Sequence, residues 1–210
     1  MIPLRDDNPS GIFPWVTAAI IGLNTIVLAI EFLSSDLDGL FMRWAMVPAY
    51  MDFGDITTLY PFVTSMFLHG GFMHFLGNMW FLMIFGDNVE VKLGRPGFAA
   101  FYILSGITAG LVQYAFIPNE VIPCLGSSGA IAAIMGFYLV KYPHALVTTL
   151  IPFFGIVKII RLPAQAILIY WIGIQLLSGT LTNALAMSSG VAWWAHIGGF
   201  LTGYIIAKIR

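Results

Sequence analysis

Gly126-Ser127-Ser128-Gly129-Ala130 is the stretch from which the chain is best read. Two serines stand between glycines at the head of an apolar run, Ala130 to Val140. That run is too apolar for a water-facing surface, so a hydroxyl at its head is not there for solubility. A second polar residue answers it far along the chain. His196, in Trp194-Ala195-His196-Ile197-Gly198-Gly199, also heads an apolar run. A serine and a histidine on two membrane helices are the minimum parts of a nucleophile and its base.

Composition sets the class. Of 210 residues, 59% are hydrophobic and 9% charged, and the mean hydropathy is +0.90. A soluble domain carries about 25% charged residues. The chain therefore reads as a multi-span membrane protein, with one domain over residues 1–210 because no polar linker is long enough to divide it. A net charge of -1 gives no basic field for nucleic acid. Cys124 is the sole cysteine and cannot close an intramolecular disulfide. Met1 to Asn8 combines Arg5 with Asp6 and Asp7, and the apolar run that follows lacks a small-residue cleavage pattern. A retained helix is expected there, not a signal peptide.

A spanning helix needs roughly 20 mainly apolar residues. Six stretches qualify or nearly do, which predicts an all-α bundle of six transmembrane helices at about 13–32, 71–90, 97–116, 127–142, 163–181 and 193–209. The second and fourth are short, as suits helices that start below the membrane surface. Basic residues set the orientation. Arg5 precedes the first helix, Lys92 and Arg95 follow the second, Lys141, Lys158 and Arg161 follow the fourth, and Lys208 and Arg210 end the sixth. The long connection after the first helix has only Arg43 among basic residues, beside Asp36, Asp38, Asp52 and Asp55. By the positive-inside rule both termini are expected in the cytoplasm, and a bacterial inner membrane is the expected location. The connection from Leu33 to Leu68 is rich in apolar residues, as for a segment lying among lipid headgroups. The segment from Val147 to Leu162 is β-branched around Phe154-Gly155, and reads as a cytoplasmic hairpin.

The second, fourth and sixth helices run from outside to inside. His74 and Asn78, Ser128, and His196 lie in their first turns and so share a depth near the outer face. Polar groups inside a bilayer are costly and tend to be functional. Small residues indicate which helices touch. Ala195, Gly199, Gly203 and Ala207 recur every fourth position on the sixth helix, as do Ser128, Ala132 and Gly136 on the fourth. Such spacing lets backbones approach closely and would set His196 against Ser128. The plainer alternative is that glycine-rich helices simply pack and the serine bonds its own backbone. His74 and Asn78, four apart, share a helix face and can donate hydrogen bonds to a developing oxyanion; an interhelical glue pair is the alternative. Ser127 is expected to cap the fourth helix, Glu90 to be a charge anchor, His69 to be structural, His144 to be solvated and Cys124 to be packing. Metal is disfavoured, since no acidic residue stands beside these histidines in the outer half of a helix.

Together these residues resemble the rhomboid family of intramembrane serine proteases. The matching motifs are Gly126-x-Ser128-Gly129, the run His69 to Asn78 with His74, Gly86-x-x-x-Glu90, and Ala195-His196-Ile197-Gly198-Gly199-x-x-x-Gly203. The resemblance implies a Ser128 nucleophile, a His196 general base, and an oxyanion site of His74, Asn78 and the Ser128 backbone N–H. It implies hydrolysis of a peptide bond in or beside a transmembrane segment of a membrane-protein substrate, with no metal or cofactor. Two positions depart from the family pattern. Tyr60-Pro61 stand where many members have Trp-Arg before the Thr64 position, and Ala132 stands where some members stack a Tyr on the catalytic histidine. The rival readings are a small transporter with a polar pathway, which predicts inverted repeats that the chain lacks, and a non-catalytic relative that binds client helices.

Overall fold

The computed structural model describes residues 1–153, 156–185 and 190–210. Eight α-helices lie among them, not six. Six match the apolar stretches to within a few residues: α1 (Trp15–Leu33), α4 (Phe72–Leu93), α5 (Arg95–Phe116), α6 (Ser128–Lys141), α7 (Ala164–Ala184) and α8 (Trp193–Ile209). The short α2 (Leu37–Trp44) and α3 (Pro61–Thr64) sit in the long connection after α1. Among the described residues, three helices are long and apolar enough to cross a membrane: α1, α5 and α7. Asp87, Glu90 and Lys92 interrupt the apolar character of α4 near its end. The 14 residues of α6 rise about 21 Å at 1.5 Å each, less than the roughly 30 Å of bilayer hydrocarbon.

That short helix is the centre of the bundle. Every residue of α6 from Gly129 to Tyr138 is buried, as a helix that is apolar all round must be. Phe85 of α4 and Phe101 of α5 pack their rings edge-on against Tyr138 and Phe137. Ser128 thus opens a helix whose start is sunk within the protein.

The all-α expectation needs correction, because the chain also forms a three-stranded antiparallel sheet. Its order is β1-β2-β3, with β1 at Ile2–Asp6, β2 at Leu146–Phe153 and β3 at Ile156–Pro163. The hairpin expectation is met by β2 and β3, paired from Leu146↔Pro163 onward; its centre at 154–155 lies outside the described residues. Val147, Thr148, Thr149, Val157, Ile159 and Ile160 supply the β-branched side chains that suit a pleated surface. β1 carried no such signal. Pro3 breaks any alternation, and is tolerated because β1 is an edge strand. Contacts from elsewhere hold it: the Trp80 indole N–H donates to the Pro3 carbonyl at 2.7 Å, and Asp6 accepts from Tyr138 and Asn88.

The connection after α1 is tied down at several points. Met46 pairs with Cys124 through two backbone hydrogen bonds of 3.0 and 2.8 Å. Tyr60 and Thr64 donate to the carbonyls of Arg43 and Trp44, each at 2.6 Å, so both side chains help to fix the loop. Ala45, Met46 and Val47 are buried, while Leu37, Met42 and Trp44 stay exposed, a face suited to lipid headgroups. Gly126 donates to the Ser65 carbonyl at 2.9 Å, which links this connection to the lead-in of α6.

Neighbouring helices also satisfy the helix starts. The first N–H groups of any helix lack intrahelical partners, and a bilayer offers no water to replace them. Neither α1 nor α8 has a side-chain cap of its own. Glu90 of α4 accepts from the backbone N–H groups of Val16 and Thr17 at 2.9 and 2.8 Å, and from the Thr17 hydroxyl at 2.8 Å. Gln113 of α5 accepts from Ala195 N–H at 3.0 Å at the start of α8. Glu90, 3% exposed, is therefore a remote cap held at the positive end of α1, not the charge anchor expected. Each buried donor left unpaired costs about 1–3 kcal/mol. Glu90→Ala should therefore lower the unfolding midpoint in detergent well beyond Thr17→Val, which removes one donor. Equal midpoints for Glu90→Ala and the unaltered protein would contradict this role.

Candidate active site

Three glycines bring α6 and α8 into backbone contact. A Cβ placed on Gly199 would collide with the Gly129 carbonyl, one on Gly203 with the Ala133 carbonyl, and one on Gly136 with the Phe200 carbonyl. The contact line on α6 therefore runs through Gly129, Ala133 and Gly136. Ala132, one position round, is also fully buried. Without hydrophobic drive between helices in lipid, such close van der Waals contact is what holds them.

This contact sets the central geometry. His196 Nε2 lies 2.7 Å from Ser128 Oγ. Both side chains are half-buried and line a cavity of about 670 Å³, together with His74, Asn78, Trp171 and Trp193. His74 and Asn78 reach the site through Gly126. That residue has φ +115°, a conformation that L side chains rarely adopt, and a Cβ there would lie 2.7 Å from the His74 ring and 3.4 Å from Asn78 Nδ2. The glycine thus permits both the turn into α6 and the close approach of the α4 face. Asn78 is buried, and its Nδ2 has no hydrogen-bond partner among the described residues. A donor unpaired in an apolar setting is costly, and this one lies beside the cavity.

The remaining singled-out residues fall elsewhere. Ser127 is wholly buried and makes no side-chain cap bond to α6, contrary to the expected capping role. Its φ of -74° and ψ of -3° are already helix-like, whereas a capping residue normally holds an extended backbone. The hydroxyl sits near that of Tyr102 instead. The His69 backbone N–H donates to Glu31 at 2.8 Å, and its ring packs edge-on against His74 and Phe75. His144 is exposed. Cys124 borders the cavity and pairs through its backbone with Met46.

One site residue escaped the sequence reading. Gln175 Oε1, from α7, lies 2.7 Å from His196 Nδ1. The available signal was an amide within an apolar helix, where polar groups are rare. No spacing rule joins it to a histidine 21 positions away. The indole of Trp171, one turn earlier on α7, lies beside the His196 ring with centroids 5.7 Å apart.

The rhomboid domain model matches residues 57–210, which include the whole site. The chain belongs to the rhomboid family. It is 32% identical over 149 residues to presenilin-associated rhomboid-like protein A, mitochondrial, of Danio rerio, covering 69% of this chain and 38% of that one. It is 30% identical over 147 residues to RHOMBOID-like protein 6, mitochondrial, of Arabidopsis thaliana, covering 70% and 42%. A shorter match, 35% over 77 residues, covers 37% of this chain and 38% of a Bacillus subtilis (strain 168) protein named as a candidate rhomboid protease. This rhomboid chain thus spans about two fifths of the length of these relatives. It is a multi-pass membrane protein set in a lipid bilayer. Two of these relatives are named mitochondrial, so the expected bacterial inner membrane gains no support from them.

The close approach of α6 and α8 generates a test. Forcing side-chain atoms into a packed contact costs about 1–3 kcal/mol. Gly199→Val should lower the unfolding midpoint in detergent. Gly173→Ala on α7, where a Cβ meets nothing within 4 Å, should leave it equal or higher, because Ala favours helix over Gly by about 1 kcal/mol. The same midpoint for Gly199→Val as for the parent would contradict the contact.

Proposed function

We propose that the protein is an intramembrane serine endopeptidase that hydrolyses a peptide bond in or near the transmembrane segment of a membrane-protein substrate. The observation that carries the reading is the 2.7 Å contact between Ser128 Oγ and His196 Nε2, at a cavity that both side chains line. A serine hydroxyl is a weak nucleophile until a base takes its proton. In this reading His196 Nε2 removes the Ser128 proton as Oγ attacks the substrate carbonyl carbon. The carbonyl oxygen becomes an oxyanion and accepts hydrogen bonds from Asn78, His74 and the Ser128 backbone N–H. His196 then passes the proton to the leaving amine. Water from the cavity attacks the acyl-enzyme with the same histidine as base, restoring Ser128 and releasing the acid. The unpaired Asn78 Nδ2 suits this role, because a preorganised donor needs no reorganisation when charge develops. Family membership supports the reaction class. In this proposal α1, α4, α5, α6, α7 and α8 are the six membrane helices, with the short α6 sunk among the other five and the basic ends and both termini in the cytoplasm.

Cleavage of a single-span model substrate in detergent or liposomes tests the chemistry. Ser128→Ala and His196→Ala should each abolish cleavage, and the double variant should be no worse, since the two act as one unit. Ser127→Ala should retain substantial activity. Asn78→Ala should lower kcat by about 10²–10³-fold with little change in KM, because its bond strengthens in the transition state. Undiminished cleavage by Ser128→Ala would overturn the mechanism; no cleavage by the unaltered protein would favour the client-binding reading. For orientation, cysteines replacing Asp38 and Lys158 in a Cys124→Ala background should respectively react with, and resist, an impermeant external reagent. Blocking of the Lys158 position in sealed cells would reverse the topology.

A further inference from the structure

We propose that Gln175 is a positioning residue that sets the tautomer of His196. The inference rests on the Ser128–His196 reading above. A neutral imidazole carries one N–H, and which nitrogen holds it depends on the partner of the other. For Nε2 to accept the Ser128 proton, the imidazole hydrogen must reside on Nδ1. Nδ1–H then needs an acceptor, and the Gln175 amide offers either an oxygen or an NH₂ group.

The surroundings select the oxygen. Gln175 Nε2 donates to the Trp171 carbonyl one turn earlier, at 3.4 Å, and a carbonyl can only accept. Turning the amide over would set two oxygens against each other at Trp171. It would also present an NH₂ group to Nδ1, which would drive the proton to Nε2 and leave His196 unable to act as base. With the NH₂ anchored, Oε1 faces Nδ1 at 2.7 Å. The side chain is 5% exposed, so water does not readily replace either bond. An amide beside a catalytic histidine is harmful where its NH₂ points at the ring, because it imposes the wrong tautomer. Here the helix's own carbonyl holds that group away.

Two further features fit this role. Gln175 belongs to α7, a different helix from either member of the pair, so the imidazole is gripped from both sides: Nε2 by α6 and Nδ1 by α7. The Trp171 ring, with centroids 5.7 Å from His196 and 6.2 Å from Phe200, limits rotation of the imidazole about its own axis. The amide therefore supplies direction, and the indole restricts the plane.

The test compares Gln175→Glu with Gln175→Leu. A carboxylate can only accept, so Glu preserves the Nδ1–H tautomer, whereas Leu keeps much of the volume and offers no acceptor. Gln175→Leu should lower kcat about 10- to 100-fold, the size seen when partners that orient an imidazole are removed, with KM within about twofold. Gln175→Glu should recover most of that loss. A purely structural role predicts the reverse order, with Leu tolerated and Glu damaging, and that order would overturn the inference. Histidine ¹⁵N NMR supplies a readout independent of turnover. The His196 resonances, assigned by difference against His196→Ala, should report protonation at Nδ1 in the parent and a mixture of tautomers in Gln175→Leu. An Nε2-protonated ring in the parent overturns the proposal even where cleavage is intact. Failure of the parent to cleave, with the Nδ1–H tautomer present and lost in Gln175→Leu, would instead fault the protease reading and leave the Gln175 role standing.

Discussion

Backbone contact between α6 and α8 is the constraint on which the rest depends. Lipid tails are as apolar as leucine, so no hydrophobic force draws two apolar helices together in a bilayer. What remains is dispersion, which is small per atom pair and fades once surfaces separate by even 1 Å. Gly136, Gly199 and Gly203 remove the side chains that would hold the helices apart, and each faces a carbonyl of the other helix. The same approach brings together a hydroxyl and an imidazole 68 positions apart in the chain. Site and packing are therefore one feature: a side chain that parts the helices also parts the pair.

A second constraint follows from the same medium. Backbone N–H groups at a helix start cannot turn to water inside the protein. Glu90 closes α1 from α4, and Gln113 closes α8 from α5. Each cap also fixes one helix against another at a point where apolar surfaces alone would slide. Asp6, Asn88 and Tyr138 do the same for the edge strand β1. The few polar side chains in this apolar chain are thus mostly committed to backbone closure or interhelical ties. Asn78 Nδ2 is one of several buried polar atoms without a partner among the described residues, and it differs from Ser105 and Tyr102 in bordering the cavity.

Much of this was legible in the sequence where one residue's chemistry had a single plausible use. Apolar run length located the six main helices, and small residues at every fourth position selected α6 and α8 as partners. Matched depth in the membrane then brought Ser128, His196, His74 and Asn78 into one group. What was not legible depended on contacts between segments with no shared pattern. Gln175 has no spacing relation to His196. Glu90 looks like a charge among charges until α1 is seen to begin beside it. β1 contains Pro3 and has no alternation, so only the hairpin that it joins reveals it as a strand. Ser127 matched the residue type of a cap, but its helix-like backbone turns the hydroxyl inward toward Tyr102. The stripe read as Ser128, Ala132 and Gly136 was displaced by one position on part of α6, because helix rotation about its axis is fixed by neighbours and not by spacing alone.

The central claim is that close packing of α6 on α8 makes Ser128 a nucleophile through His196. The most direct measurement is mass-spectrometric mapping of the adduct formed by a fluorophosphonate probe on the purified protein. The account predicts one adduct, on Ser128, that disappears in His196→Ala and is much reduced in Gly199→Val. An adduct on Ser127, or undiminished modification of Ser128 after loss of His196, would contradict it.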